Sequence, residues 1–109
     1  MAKTLKEKIS TKPSRVRPQL NSYLHRYVRL RGVRWGRYAK PSKLREEFHE
    51  LLEALENYES NPSAKNFLHL QEESADTFFC LLGISENAGF DLRDAAEHKI
   101  SKDSGRNIR

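Results

Sequence analysis

The stretch "ESADTFFCLLGIS", residues 73–85, constrains the fold more than any other part of the chain. After Asp76 it is apolar on nearly every side of a helix: Phe78, Phe79, Cys80, Leu81, Leu82 and Ile84. A helix of that kind belongs at the centre, with neighbours around it. It is expected to run from about Ala64 or Phe67 to Asn87, with Gly89 ending it. A chain of 109 residues supports one domain with a modest core.

Three more helices can be read around this one, and no convincing strand. Residues 18–30 carry Leu20, Tyr23, Leu24, Tyr27 and Val28 at three- and four-residue steps, with Pro18 in the first turn and Gly32 as the stop. A link, "GVRWGRYAKPS", is expected to be irregular. Ser42 is expected to cap a second helix, whose stripe is Leu44, Phe48, Leu51, Leu52, Leu55 and Tyr58. "ESNPSAKN" breaks it. A last helix starts near Asp91 and includes Leu92, Ala95, Ala96 and Ile100. The fold class is all-α, a small bundle of about four helices. The central helix has more apolar surface than one small chain can cover. Completion by oligomerisation, as a homodimer or homotetramer with this helix at the interface, is expected.

Charge is unevenly placed. Residues 1–45 hold 14 Lys/Arg and a single acid, Glu7, whereas residues 46–109 hold 6 Lys/Arg and 14 acids. Residues 1–17 read as a basic, flexible arm, with nucleic acid, phosphates or an acidic surface as partners. No apolar run is long enough to span a bilayer, and the N-terminus lacks the apolar region of a secretory signal. One cysteine, Cys80, excludes an internal disulfide framework. A cytoplasmic protein is the default expectation.

The acids have a pattern. "REEFHELLEALE", residues 45–56, holds five glutamates, most of them suited to a solvated face. Glu47 and Glu50, three residues apart, project on nearly the same side of a helix, and Glu73 and Asp76 repeat that spacing on the next one. Twenty-two residues lie between Glu50 and Glu73, enough to turn and return antiparallel. Asp76 stands in line with Cys80 and Gly83 on an apolar helix, so it is expected to be partly buried. An uncompensated carboxylate there costs several kcal/mol. The neighbouring sequence supplies acids rather than bases, so a divalent cation is expected in place of a salt bridge. All-oxygen ligands suit Mg²⁺, with Mn²⁺ as a substitute. His25, His49, His69 and His98 are scattered and form no zinc pattern.

With "EEFHE" followed by "ESAD", the sequence resembles the all-α nucleoside triphosphate pyrophosphohydrolases of the MazG type. That superfamily also includes dimeric dUTPases and phosphoribosyl-ATP pyrophosphatases. The resemblance spans roughly residues 20–106, within a domain placed at 18–106. It implies Mg²⁺-dependent cleavage of a (d)NTP to (d)NMP and pyrophosphate, with house-cleaning of the nucleotide pool as a role. Glu47, Glu50, Glu73 and Asp76 would be the metal ligands, with Glu47, Glu50 or Glu46 orienting the water. In "KISKDSGR", Lys99 and Arg106 match the family's phosphate-binding positions. Asp103 stands where asparagine is usual and would repel phosphate unless turned away; Lys102 offers compensation. The base would then sit toward "RGVRWGRY", where Trp35 and Tyr38 offer stacking surfaces beside Arg34 and Arg37. Arginines interleaved with aromatics also suit single-stranded nucleic acid. That is a second reading: a basic helical nucleic-acid-binding protein without catalysis.

Overall fold

The computed structural model describes residues 21–105; the basic arm, Pro18, Leu20 and Arg106 lie outside them. Among the described residues there are four α-helices and no strand. The order is α1 (Ser22–Arg31), a 3-10 turn η1 (Trp35–Ala39), α2 (Pro41–Ser60), α3 (Ala64–Ala88) and α4 (Leu92–Ser104).

The helix ends follow local chemistry. Gly32 stops α1 in the left-handed region, at φ 68°, and Gly89 stops α3 in the same way, at φ 81°. The Ser63 hydroxyl accepts the Asn66 N–H at the start of α3, and the Asp91 carboxylate accepts the N–H groups of Arg93 and Asp94 at the start of α4. The start of α2 differs from the sequence reading. Pro41 itself takes the first turn, where its missing N–H costs nothing, and Lys40 holds the cap position. Ser42 is therefore inside the helix and caps nothing.

The buried core comprises Leu24, Val28, Tyr38, Cys80 and Leu82, so it is built from α1, η1 and α3. Tyr27 of α1 stacks on Phe79 of α3 with ring centroids 4.4 Å apart, and Tyr38 meets both rings edge-on. The link expected to be irregular is a 3-10 turn because α3 offers it a seat. A Cβ at Gly83 would lie 2.7 Å from the Tyr38 carbonyl carbon, so only glycine admits the turn's backbone there. The small residues in line with Asp76 thus make room for η1.

Packing of α2 on α3 corrects the stripe read from sequence. The residues of α2 that are buried are Glu47 and Ala54, while Leu44, Leu51 and Tyr58 are half-buried. Phe48, Leu52 and Leu55 are exposed, as is Leu81 of α3. The central helix is therefore uncovered on one side. Leu44, Phe48, Thr77 and Leu81, with Arg45, line an apolar groove of about 390 Å³ between the two helices. α4 contains no buried residue, and its Leu92 rests against the edge of the core.

Candidate metal centre

The antiparallel return from α2 to α3 brings carboxylates of both helices into one seam. One oxygen from each of Glu47, Glu73 and Asp76 lies within 4.8 Å of the others. Glu47 is buried, with only 6% of its side chain exposed, and Glu73 is nearly so at 13%. Thr77 fixes the local register by donating its hydroxyl to the Glu73 carbonyl at 3.1 Å and to the Glu47 carbonyl at 3.4 Å across the seam. Glu50 stands beside this triad rather than in it. Burial, and then the negative charge of Glu73, push its carboxyl above the usual range. Asp76 is raised for the same two reasons, burial first and the charge of Glu47 second.

Glu47 has a basic partner, although the neighbouring sequence reads as acids rather than bases. Lys43, one turn before Glu47, places its ammonium 2.7 Å from Glu47 Oε2 and 3.2 Å from Glu46 Oε1, over the Tyr38 ring. Burial disfavours the charge on Lys43, but its hydrogen bonds to Glu47 and Glu46 outweigh that and hold it protonated. The i to i+4 spacing of Lys43 and Glu47 was visible in the sequence. Asp76 makes no salt bridge among the described residues; Lys43 and Arg31 only temper its upward shift. One lysine faces a group of four carboxylates, and the inner oxygens Glu47 Oε1 and Glu73 Oε1 are buried without a hydrogen-bond donor.

Those two oxygens test whether a metal fits. Buried carboxylate oxygens lacking donors favour a cation at the centre. One oxygen of each of the three acids lies within 4.8 Å of the others, and all-oxygen donors of this kind suit a hard divalent cation such as Mg²⁺. Cys80 is not part of this group; burial, followed by the charge of Glu47, pushes its thiol up to about 11. His69 Nδ1 stands 3.9 Å from Glu73 Oε2, on the exposed flank.

The remaining sequence-derived site residues are dispersed. Tyr38 is a core residue, 5% exposed, with its ring packed against Tyr27 and Phe79. Stacking a base on it would require opening the core. Trp35 is half-buried against the same core, near His25. Lys99 is on α4, where its ammonium binds Asp103 at 2.7 Å, and Lys102 is exposed on the same helix. Neither meets the carboxylates, and Arg106 lies outside the described residues.

The geometry is that of an acidic seam between two helices, and comparison with known families agrees with it. Residues 40–108 match the MazG nucleotide pyrophosphohydrolase domain, which takes in α2, α3 and α4. No curated protein and no solved structure matches the chain. The match covers more than half of the chain and contains the whole seam, and the chain belongs to the MazG nucleotide pyrophosphohydrolases.

Proposed function

We propose that the protein is a Mg²⁺-dependent nucleoside triphosphate pyrophosphohydrolase that releases pyrophosphate from a (d)NTP and clears nucleotides from the cellular pool. The observation that carries this reading is the buried carboxylate seam, with Glu47 Oε1 and Glu73 Oε1 facing no donor. Glu47, Glu73 and Asp76 would hold the ion, with Glu50 at its edge. A divalent cation held by these residues would supply charge neutralisation for the phosphate chain and a more acidic water. Glu50, outside the triad and with a raised pKa, is suited to orient the attacking water and take its proton at a carboxylate oxygen. Glu46 is a poorer base, because its hydrogen bond to Lys43 holds its pKa down. Trp35 supports a base-stacking role, as it keeps some exposure at the rim of the core. A second copy of the chain is the proposed occupant of the apolar face of Phe48, Leu52, Leu55 and Leu81, since both helices of the seam expose it together.

The test is a screen of (d)NTPs with Mg²⁺, monitoring pyrophosphate, with wild type and Asp76→Ala. Hydrolysis by wild type and its loss in the variant are expected. A folded wild type that cleaves no nucleotide refutes the activity, and an equally active variant refutes the site.

A further inference from the structure

The acidic seam adjoins a cleft of opposite charge. Arg37 of η1, together with Lys40, Ser42, Lys43 and Glu46 at the start of α2, lines an open cleft of about 450 Å³. That volume is in the range of small-ligand sites. Arg37 and Lys40 are exposed, and among the described residues neither has a carboxylate within salt-bridge distance. Glu46 is the one acid in the lining, and its carboxylate is engaged by Lys43. Lys43 also contacts Glu47, so its side chain is the wall shared by the cleft and the seam.

A triphosphate held for cleavage between its α and β phosphates needs two environments. The reacting phosphate belongs at the carboxylates, and the departing pair of phosphates carries most of the negative charge. Lys99, the phosphate-binding candidate of the sequence, is on α4 paired with Asp103 and does not line this cleft. We propose that the Arg37–Lys40–Lys43 cleft holds the β and γ phosphates, the group that leaves as pyrophosphate. The proposal rests on the pyrophosphohydrolase reading and adds the residues that recognise the tail. The planar guanidinium of Arg37 offers paired donors to phosphate oxygens, and Lys40 adds a point charge. Lys43 already neutralises Glu47 and borders both the cleft and the seam. Recognition here depends on the tail and is indifferent to the base.

The experiment titrates inorganic pyrophosphate, with Mg²⁺, into the full-length protein by calorimetry. Wild type, the double variant Arg37→Gln/Lys40→Gln and, for comparison, Lys99→Gln are used. Both cleft residues are exposed, so the double variant should keep the wild-type melting temperature. Its pyrophosphate affinity should fall roughly tenfold to a hundredfold, the loss expected for charged hydrogen bonds. Product inhibition by pyrophosphate should weaken in parallel, and inhibition by the nucleoside monophosphate should not change. Lys99→Gln should bind pyrophosphate within about twofold of wild type, a change under half a kcal/mol. Wild-type pyrophosphate affinity in the double variant, or an equal loss of monophosphate inhibition, overturns the proposal. If wild type binds pyrophosphate through these residues yet cleaves no nucleotide, the cleft stands and the catalytic reading falls. If it cleaves nucleotides with inhibition insensitive to the double variant, the cleft falls and the catalytic reading stands.

Discussion

The two faces of the α2–α3 pair are arranged inside out. The inner face buries Glu47 and most of Glu73, while the outer face exposes Phe48, Leu52, Leu55 and Leu81. Stability alone would select the opposite, since burying a carboxylate costs free energy and burying a leucine or phenylalanine gains it. Each face is thus incomplete in a way that names what completes it. Among the described residues the inner face is short of positive charge, because Lys43 reaches Glu47 but makes no salt bridge to Glu50, Glu73 or Asp76, and the proposed divalent cation would supply it. The outer face exposes Phe48, Leu52, Leu55 and Leu81, and the proposed second copy of the chain would cover them.

The largest test of this contrast is Asp76→Asn. Removing one carboxylate from the seam should lower nucleotide hydrolysis about a thousandfold, equivalent to about 4 kcal/mol of transition-state stabilisation. The same change should raise the melting temperature of the metal-free protein, because a raised, repelled charge has been removed. It should also abolish the extra stability conferred by Mg²⁺. Loss of activity accompanied by loss of metal-free stability would mean that Asp76 is structural and that the inner face is not strained.

The outer face is tested by Phe48→Glu, a residue 51% exposed and therefore tolerant of the change within one chain. If a second copy covers the groove, an unpaired carboxylate would be buried there. Self-association should weaken by about 3 kcal/mol, more than a hundredfold in Kd, as read by sedimentation equilibrium. The metal-free melting temperature at high dilution should barely move. A monomeric wild type would end this half of the comparison.

A smaller effect concerns how the faces are held in place. Gly83→Ala puts a Cβ 2.7 Å from the Tyr38 backbone, and the turn carrying Tyr38 also carries Arg37 of the basic cleft. Overpacking costs about 1–3 kcal/mol, and alanine returns up to about 1 kcal/mol of helix propensity. A net loss of about 1–2 kcal/mol is expected in thermal or denaturant unfolding. Gly36→Ala, where nothing lies within 4 Å, is the control and should be near neutral. Equal effects of the two would show that η1 does not press on α3.

Much of this was legible in the chain. Gly32, Gly89 and Asp91 mark helix ends by chemistry that acts within a few residues, so they could be read directly. The pairing of "EEFHE" with "ESAD" was legible because helical periodicity fixes direction: Glu47, Glu73 and Asp76 meet as their spacing requires. What was missed depends on three-dimensional rotation and approach. The α2 stripe has too many apolar residues for one contact, and sequence cannot say which half turns inward; Ala54 and Glu47 do, and Phe48 does not. Tyr38 looked like a free ring because the glycine seat that draws it into the core lies forty-five positions away, at Gly83. Lys43 was overlooked beside the many glutamates, although its spacing to Glu47 was in plain view.

The finest test is the pH dependence of the Asp76→Asn effect in metal-free protein. Asp76 has a folded pKa raised above its ordinary value, so between the two values the folded state binds more protons than the unfolded state. Stability then falls as pH rises through that window, is full below the ordinary carboxylate value, and bears the whole penalty above the raised one. The asparagine side chain of the variant has no such titration. The difference in melting temperature between variant and wild type should therefore be smallest in acid, should grow as pH passes upward through the window just above the ordinary aspartate range, and should level off beyond it. Saturating Mg²⁺ should remove the growth by giving the carboxylate its counter-charge in the folded state. A difference that shrinks with rising pH would reverse the sign of the shift. It would place a cation, most directly Lys43, against Asp76 in solution and leave the inner face compensated without a metal.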